Sequence, residues 1–202
     1  MPVTVYLVRH GSTALNSEEK GKDRIRGWEN IPLDQNGMHD AYRTSNELRD
    51  KGFKNIVSSD LDRAADTANI IAENHPGVTR TFTEKLRPWN LGDMQGSSSA
   101  SPETLKKITY HVENPDKCVP NGECFNDFKQ RALEGLSEAA DMEPPVAVVT
   151  HHRVERLLNA WNKTGQDNPE IDQKELLQRG EKPGSVQKIK LTHDPSTNVP
   201  FS

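Results

Sequence analysis

The chain has 202 residues with 26 basic and 30 acidic side chains, a formal net charge of −4 with histidine neutral. At about 150 residues per domain this is one domain, large enough to bury roughly 70% of its unfolded surface without staples. The acidic balance argues against nucleic acid or an anionic membrane as partner, and the longest aliphatic run, Val146–Val149, is far short of a membrane span.

Hydrophobic content is 32% and mean hydropathy −0.84, but the apolar residues are clustered, so a folded, very soluble protein is expected. The N-terminus lacks a basic leader and reaches Arg9-His10 too soon for a signal peptide. Cys118 and Cys124 form neither a disulfide framework nor a metal pattern and read as reduced thiols. A cytoplasmic location is expected.

Residues 3–8 are almost wholly apolar, as in a strand buried on both faces, and run into Arg9-His10-Gly11. Residues 14–36 read as a long polar loop. Met38, Ala41, Tyr42, Ser45 and Leu48 recur at helical spacing, and Gly52 closes that helix. A short strand over 55–58 leads to a helix carrying Leu61, Ala64, Ala65, Ala68, Ile71 and Ala72 on one face, with Ser59 or Asp60 as its cap. Another strand is expected over 78–82. The stretch 86–102, with Gly96-Ser97-Ser98-Ser99, reads as an exposed mobile loop.

Helices are expected over 103–113 and 123–140, a buried strand over 146–150, and a further helix carrying Val154, Leu157, Leu158 and Trp161. A short helix at 173–179 and a last strand over 185–191, a candidate antiparallel edge, follow. Strands alternating with helices predict an α/β fold, a three-layer α/β/α sandwich on a mainly parallel sheet. A single domain over 1–194 is expected, with 195–202 as a loose tail.

Two strands end in histidine, at His10 and at His151-His152. A third places Arg63 in the next helix's first turn. Ligands of open α/β sheets bind at strand carboxyl ends. Taken singly, each residue is ordinary. If those strands are neighbours, His10, Arg9, Arg63 and His151 converge into a polycationic site suited to a phosphoryl group.

Val8-Arg9-His10-Gly11-Ser12-Thr13-x-x-Asn16 resembles the signature of the histidine phosphatase superfamily, the phosphoglycerate mutase-like proteins. Gly27-x-x-Asn30-Ile31-Pro32-Leu33 through Gly37, Ser58-Ser59-Asp60-Leu61-x-Arg63-Ala64-x-x-Thr67-Ala68, Gly122-Glu123-Cys124-Phe125 and Val149-Thr150-His151 resemble its further blocks in order. The resemblance implies a phosphoglycerate mutase-like fold and a metal-independent phosphatase with no cofactor. His10 would form a phosphohistidine, while Arg9, Arg63 and His151 hold the phosphoryl oxygens. Asn16, Gly11, Arg24, Arg26, Gly27 and His152 are the candidate substrate-binding positions. The substrate would be a phosphorylated small molecule or a phosphoprotein.

One block departs from the family. Where it commonly places an acid that protonates the leaving group, this chain has Pro88, in Leu86-Arg87-Pro88-Trp89-Asn90-Leu91-Gly92. Glu123 is the preferred replacement, with Asp93, Glu84 and His152 as others. Alternatively, the leaving group is good enough to need none. Lys20, Lys22, Arg24 and Arg26 form a charged loop, Trp28 and Trp89 are candidate pocket walls, and His152-Arg153 adds charge at the rim. A mutase-type phosphotransferase and a non-catalytic phospholigand-binding module are the alternative functions.

Overall fold

The computed structural model describes residues 2–16, 22–168, 170, 171, 173–177 and 180–201. In chain order the elements are β1 (Val3–Arg9), α1 (Gln35–Leu48), β2 (Asn55–Ser59), α2 (Asp62–Ala72), β3 (Thr79–Thr83), α3 (Pro102–Glu113), α4 (Phe125–Ala140), β4 (Val146–Thr150), α5 (His152–Thr164), α6 (Gln173–Leu176) and β5 (Val186–Leu191). The sheet order is β3-β2-β4-β1-β5. All neighbours are parallel except β1 and β5. The expected three-layer sandwich and its antiparallel edge are therefore present.

Alternation along the strands builds the layers. Val5, Leu7, Val57, Val146 and Val148 point to one face, with Ile108 of α3, Phe128 and Leu136 of α4, and Leu157 and Trp161 of α5. Val8, Ile56, Ala147 and Val149 point to the other, against Leu48 of α1 and Ala64, Ala68 and Ile71 of α2. Each near-continuous apolar strand thus serves two cores.

Four expectations are corrected. The stretch after β3 is not an exposed loop: it buries Leu86, Trp89, Leu91 and Met94. Its Gly-Ser run pairs backbone with the segment before Gly27, through Gly96 N–H to Ile25 O at 2.8 Å and Ile25 N–H to Ser97 O at 3.0 Å. The cap of α2 is Leu61, without a side-chain bond, because Asp60 is taken by Arg87. Cys118 and Cys124 are joined in a disulfide, because a turn with Gly122 N–H on Val119 O brings the loop's ends together. The reduced thiols that favoured a cytoplasmic location are thus not found. Finally, residues 195–201 are not loose: Phe201 N–H bonds Thr192 O at 3.0 Å and Asn198 accepts from the Trp161 indole at 2.9 Å. Residues 20, 178 and 179, part of the basic loop and the end of the expected short helix, lie outside the described residues. No helix among the described residues is long and apolar enough to cross a membrane.

Candidate active site

The strand register assembles the site. Arg9 of β1 lies opposite Thr150 of β4, so His10 and His151, the next residues, leave the sheet side by side. The His10 N–H bonds Thr150 O at 3.0 Å, and the two rings meet edge to face with centroids 5.0 Å apart. β2 flanks β4 on its other side and delivers Arg63 at the start of α2. The three strands are neighbours, and four buried side chains converge: Arg9, His10, Arg63 and His151.

Close backbone packing makes this possible. A Cβ on Gly11 would lie 2.2 Å from Gly37 O, and one on Gly37 would lie 1.9 Å from Ser12 O. Gly11 serves backbone packing against the start of α1 and donates its N–H to Thr67 Oγ1 at 3.2 Å. From the far end of the chain, Gly184 N–H reaches Arg9 O at 3.1 Å and His10 O at 3.2 Å, and Arg9 N–H reaches Ser185 O at 3.1 Å. The Gly184 carbonyl accepts from Thr44 Oγ1 at 2.7 Å.

His10 Nδ1 stands 2.6 Å from the Gly11 carbonyl. A carbonyl only accepts, so Nδ1 carries the proton and Nε2 keeps its lone pair. Burial first, then the Arg63, Arg9 and Arg26 charges, hold His10 well below the ordinary histidine range. Burial and the Arg63 charge do the same to His151. Both rings are neutral at pH 7. Arg63 donates to Glu29 O at 2.7 Å and Gly27 O at 2.9 Å, which fixes its plane. Burial, with Arg26 second, lowers its pKa to about 9. Gly27 has φ +50°, a region open to glycine, and its carbonyl is thereby aimed at Arg63.

These groups open on a cavity of about 1120 Å³. Buried nitrogens around it lack partners: Arg9 Nε, Arg63 Nε and both ring nitrogens of His151. Arg26 Nη1 lies 3.6 Å from the Asp23 carboxylate. Buried donors left unpaired are costly, and an oxyanion satisfies the two guanidinium nitrogens and the single ring N–H of neutral His151. Asn16, Arg24, Arg26, Gly27 and His152 also line the cavity. Asn16 Oδ1 accepts from Thr13 N–H at 2.9 Å, which leaves its amide NH₂ to donate. His152 Nε2 accepts from Gly180 N–H at 2.9 Å, so it has no proton there to give.

Glu123 is not brought to the cavity. Its carboxylate forms a two-point pair with Arg131, at 2.5 and 2.8 Å, and accepts from Asn90 N–H at 2.8 Å. Arg131 also donates to the carbonyls of Lys85, Arg87 and Pro88 at 2.7–2.9 Å. This pair holds the loop that carries Pro88 and corrects the choice of Glu123 as proton donor. The guanidiniums of Arg87 and Arg131 both lie over the Trp28 ring, 4.7 and 5.4 Å from its centre, and its indole N–H bonds Pro88 O; of the two tryptophans, Trp89 lines the cavity. Asp93 accepts from Asn121 and Glu84 pairs with Arg87, so neither is a donor at the site.

Sequence reasoning missed Arg131, Arg156 and Lys182. Arg156 and Lys182 line the cavity; Arg131 organises its wall. Arg153 and Arg156 were detectable as cations near the N-terminal turn of α5, where the helix dipole disfavours them. Arg131 gave no such signal, since its partners are mostly backbone carbonyls.

A family model for the histidine phosphatase superfamily (branch 1) matches residues 5–195. The chain belongs to this superfamily. The probable phosphoglycerate mutase GpmB of Yersinia pestis (strain Pestoides F) is 31% identical over 141 residues, 68% of this chain. The match spans 63% of that relative's length. Bacillus stearothermophilus YhfR is 28% identical and superposes with a TM-score of 0.75 over 95% of this chain and 92% of its own. A Thermus thermophilus phosphoglycerate mutase is 26% identical, with a TM-score of 0.65 and 92% of both chains covered. A mycobacterial glucosyl-3-phosphoglycerate phosphatase, 23% identical with a TM-score of 0.77 over 99% of this chain and 95% of its own, shares the fold.

Proposed function

We propose that the protein is a metal-independent phosphatase that transfers a phosphoryl group to His10 Nε2 and then to water. The observation that carries this reading is the His10 Nδ1 contact with Gly11 O at 2.6 Å, which leaves Nε2 as a neutral nucleophile among unpaired cationic donors. Nε2 attacks phosphorus as the bond to the leaving oxygen breaks. Arg9, Arg63 and neutral His151 hold the phosphoryl oxygens, with Asn16 and Arg26 at their edge. Water then attacks the phosphohistidine and restores His10. Most of the catalysis is positioning and preorganised charge.

The leaving group receives no proton from an obvious carboxyl group. Among the described residues lining the cavity, Asp34 caps α1, Asp40 accepts from Ser12, and Asp23 accepts from Ser99 at 2.6 Å. Glu181 is exposed. We infer that the enzyme favours phosphoryl compounds whose leaving group departs unaided: aryl or enol esters, anhydrides or phosphoramidates. An alkyl ester loses the ~10²–10⁴-fold that general acid catalysis supplies.

The test is p-nitrophenyl phosphate hydrolysis with EDTA present, in the native chain and in His10→Ala. Activity in the native chain and its loss in the variant support the reading; equal rates overturn it. The resemblance to phosphoglycerate mutases favours a second reading, phosphotransfer between positions of one substrate. A requirement for 2,3-bisphosphoglycerate in turnover of phosphoglycerate would establish it.

A further inference from the structure

Thr67 stands on the apolar stripe of α2, three residues from Ala64 and four from Ile71, and is fully buried. A threonine inside a helix often returns its hydroxyl to the carbonyl four residues back, and Thr67 does so, with Oγ1 2.8 Å from Arg63 O. That bond uses the hydroxyl's one proton and leaves its lone pairs to accept. One of them meets the Gly11 N–H at 3.2 Å. The helix itself has no use for this second bond: valine, branched alike and of closely similar helix propensity, fills such a position as well.

The second bond lands on the turn that carries the nucleophile. The peptide between His10 and Gly11 is held at both ends, because His10 O accepts from Gly184 N–H at 3.2 Å and Gly11 N–H donates to Thr67. Gly11 is buried, and a Cβ there would lie 2.2 Å from Gly37 O. Glycine has the widest backbone freedom of any residue, so the peptide planes beside it are fixed by such outside contacts. The Gly11 carbonyl, placed by this arrangement, is the acceptor for His10 Nδ1 at 2.6 Å.

Because the His10 ring is neutral, the place of that carbonyl decides which nitrogen carries the proton. Without the Thr67 hydroxyl the buried Gly11 N–H loses its acceptor, which is costly, and the turn relaxes by rotating that peptide. Rotation draws Gly11 O away from Nδ1. The proton is then free to sit on either nitrogen, and the Nε2–H form has no lone pair for phosphorus.

We propose that Thr67 is a positioning residue for His10: its hydroxyl fixes the Gly11 peptide, whose carbonyl holds the proton on Nδ1 and aims Nε2 into the cavity. Thr67 does not line the cavity and acts only through Gly11. The same side chain ties the turn to the helix that presents Arg63, so one hydroxyl sets nucleophile and cation relative to each other. This rests on the phosphatase reading for what His10 does, not for how its ring is held.

The test compares Thr67→Val and Thr67→Ser with the native chain. Ser45→Ala controls for stability alone, since Ser45 is likewise buried and its hydroxyl bonds Ile70 O at 2.9 Å, away from the cavity. Ring tautomers are read from nitrogen–proton correlation spectra of the histidines, with His10 assigned by its absence in His10→Ala. The native ring is expected to carry its proton on Nδ1, and Thr67→Val to show the Nε2–H form in part. In p-nitrophenyl phosphate hydrolysis Thr67→Val is expected to lose about 10–100-fold in kcat, as for a small misplacement of a reacting group, while inorganic phosphate binds within about three-fold of native affinity. Thr67→Ser is expected to restore most of the tautomer and of kcat, and Ser45→Ala to lower the melting temperature with kcat unchanged. Native ring shifts in Thr67→Val overturn the proposal whatever the rates, as does a Thr67→Ser chain as slow as the valine variant. Thr67→Ala removes the same hydroxyl with less bulk and carries the test if the valine variant does not fold. A native chain that hydrolyses no aryl phosphate overturns the phosphatase reading alone, because the tautomers are read without turnover.

Discussion

Arg131 and Arg63 carry the same guanidinium, both largely withdrawn from water, and are used in opposite ways. Arg131 fills its donors with one carboxylate and a set of carbonyls. Arg63 spends two donors on carbonyls and keeps a buried Nε unpaired toward the cavity. The first geometry is scaffolding; the second is preparation for a ligand. The molecule therefore separates its support from its chemistry by where it withholds hydrogen bonds, not by residue type.

Replacing members of each group tests that contrast. His10→Ala is expected to lower aryl phosphate turnover by at least about 10⁴-fold with little change in melting temperature. Arg63→Ala is expected to cost about 10²–10³-fold in kcat, read in the same assay, if Arg63 donates to the phosphoryl oxygens as proposed. Arg131→Ala is expected instead to act on stability. Leaving Glu123 and the loop carbonyls unpaired costs about 3 kcal/mol, a fall of roughly 6–12 °C in calorimetry. A variant that kept its melting temperature while losing activity would move Arg131 into the other group.

Acid sharpens the contrast from the other side. His10 and His151 are held below the ordinary histidine range, so the unfolded chain takes up protons near pH ~6.5 that the folded chain refuses. Stability is thus full above that pH and falls progressively below it. Inorganic phosphate, by binding the folded form, is expected to offset part of the loss. Denaturant melts at pH 7 and 5, with and without phosphate, check both. The smallest effect expected is a gain: Pro88→Glu places a carboxyl on the cavity wall and raises alkyl phosphate turnover relative to aryl by about 10-fold. An unchanged ratio would show that no proton is needed at that position.

Much of this was legible in the chain. Apolar runs ending in Arg9-His10 and His151 gave the strands and the side of the sheet on which the site lies. Arg63 followed from a helix start. What was hidden depended on partners remote in sequence. Glu123 resembled a family block, and nothing local announced that Arg131, eight residues on, would take both its oxygens. The Gly-Ser run lacked a pattern of its own because its order comes from backbone pairing with residues 23–25. Trp28 looked like a wall residue, yet its ring is occupied by two arginines.

The contacts of Gly184 and Ser185 with Arg9 and His10 bear on how the protein comes into being. Translation runs from the N-terminus, so the strand that ends at His10 leaves the ribosome before residues 184 and 185 do. The backbone latch that holds it is made only after β4 and α5. Until residues 184 and 185 emerge, the turn at His10 lacks those three bonds. A nascent chain would carry His10 without its native geometry until that latch is made, and any activity that depends on the turn would switch on only then.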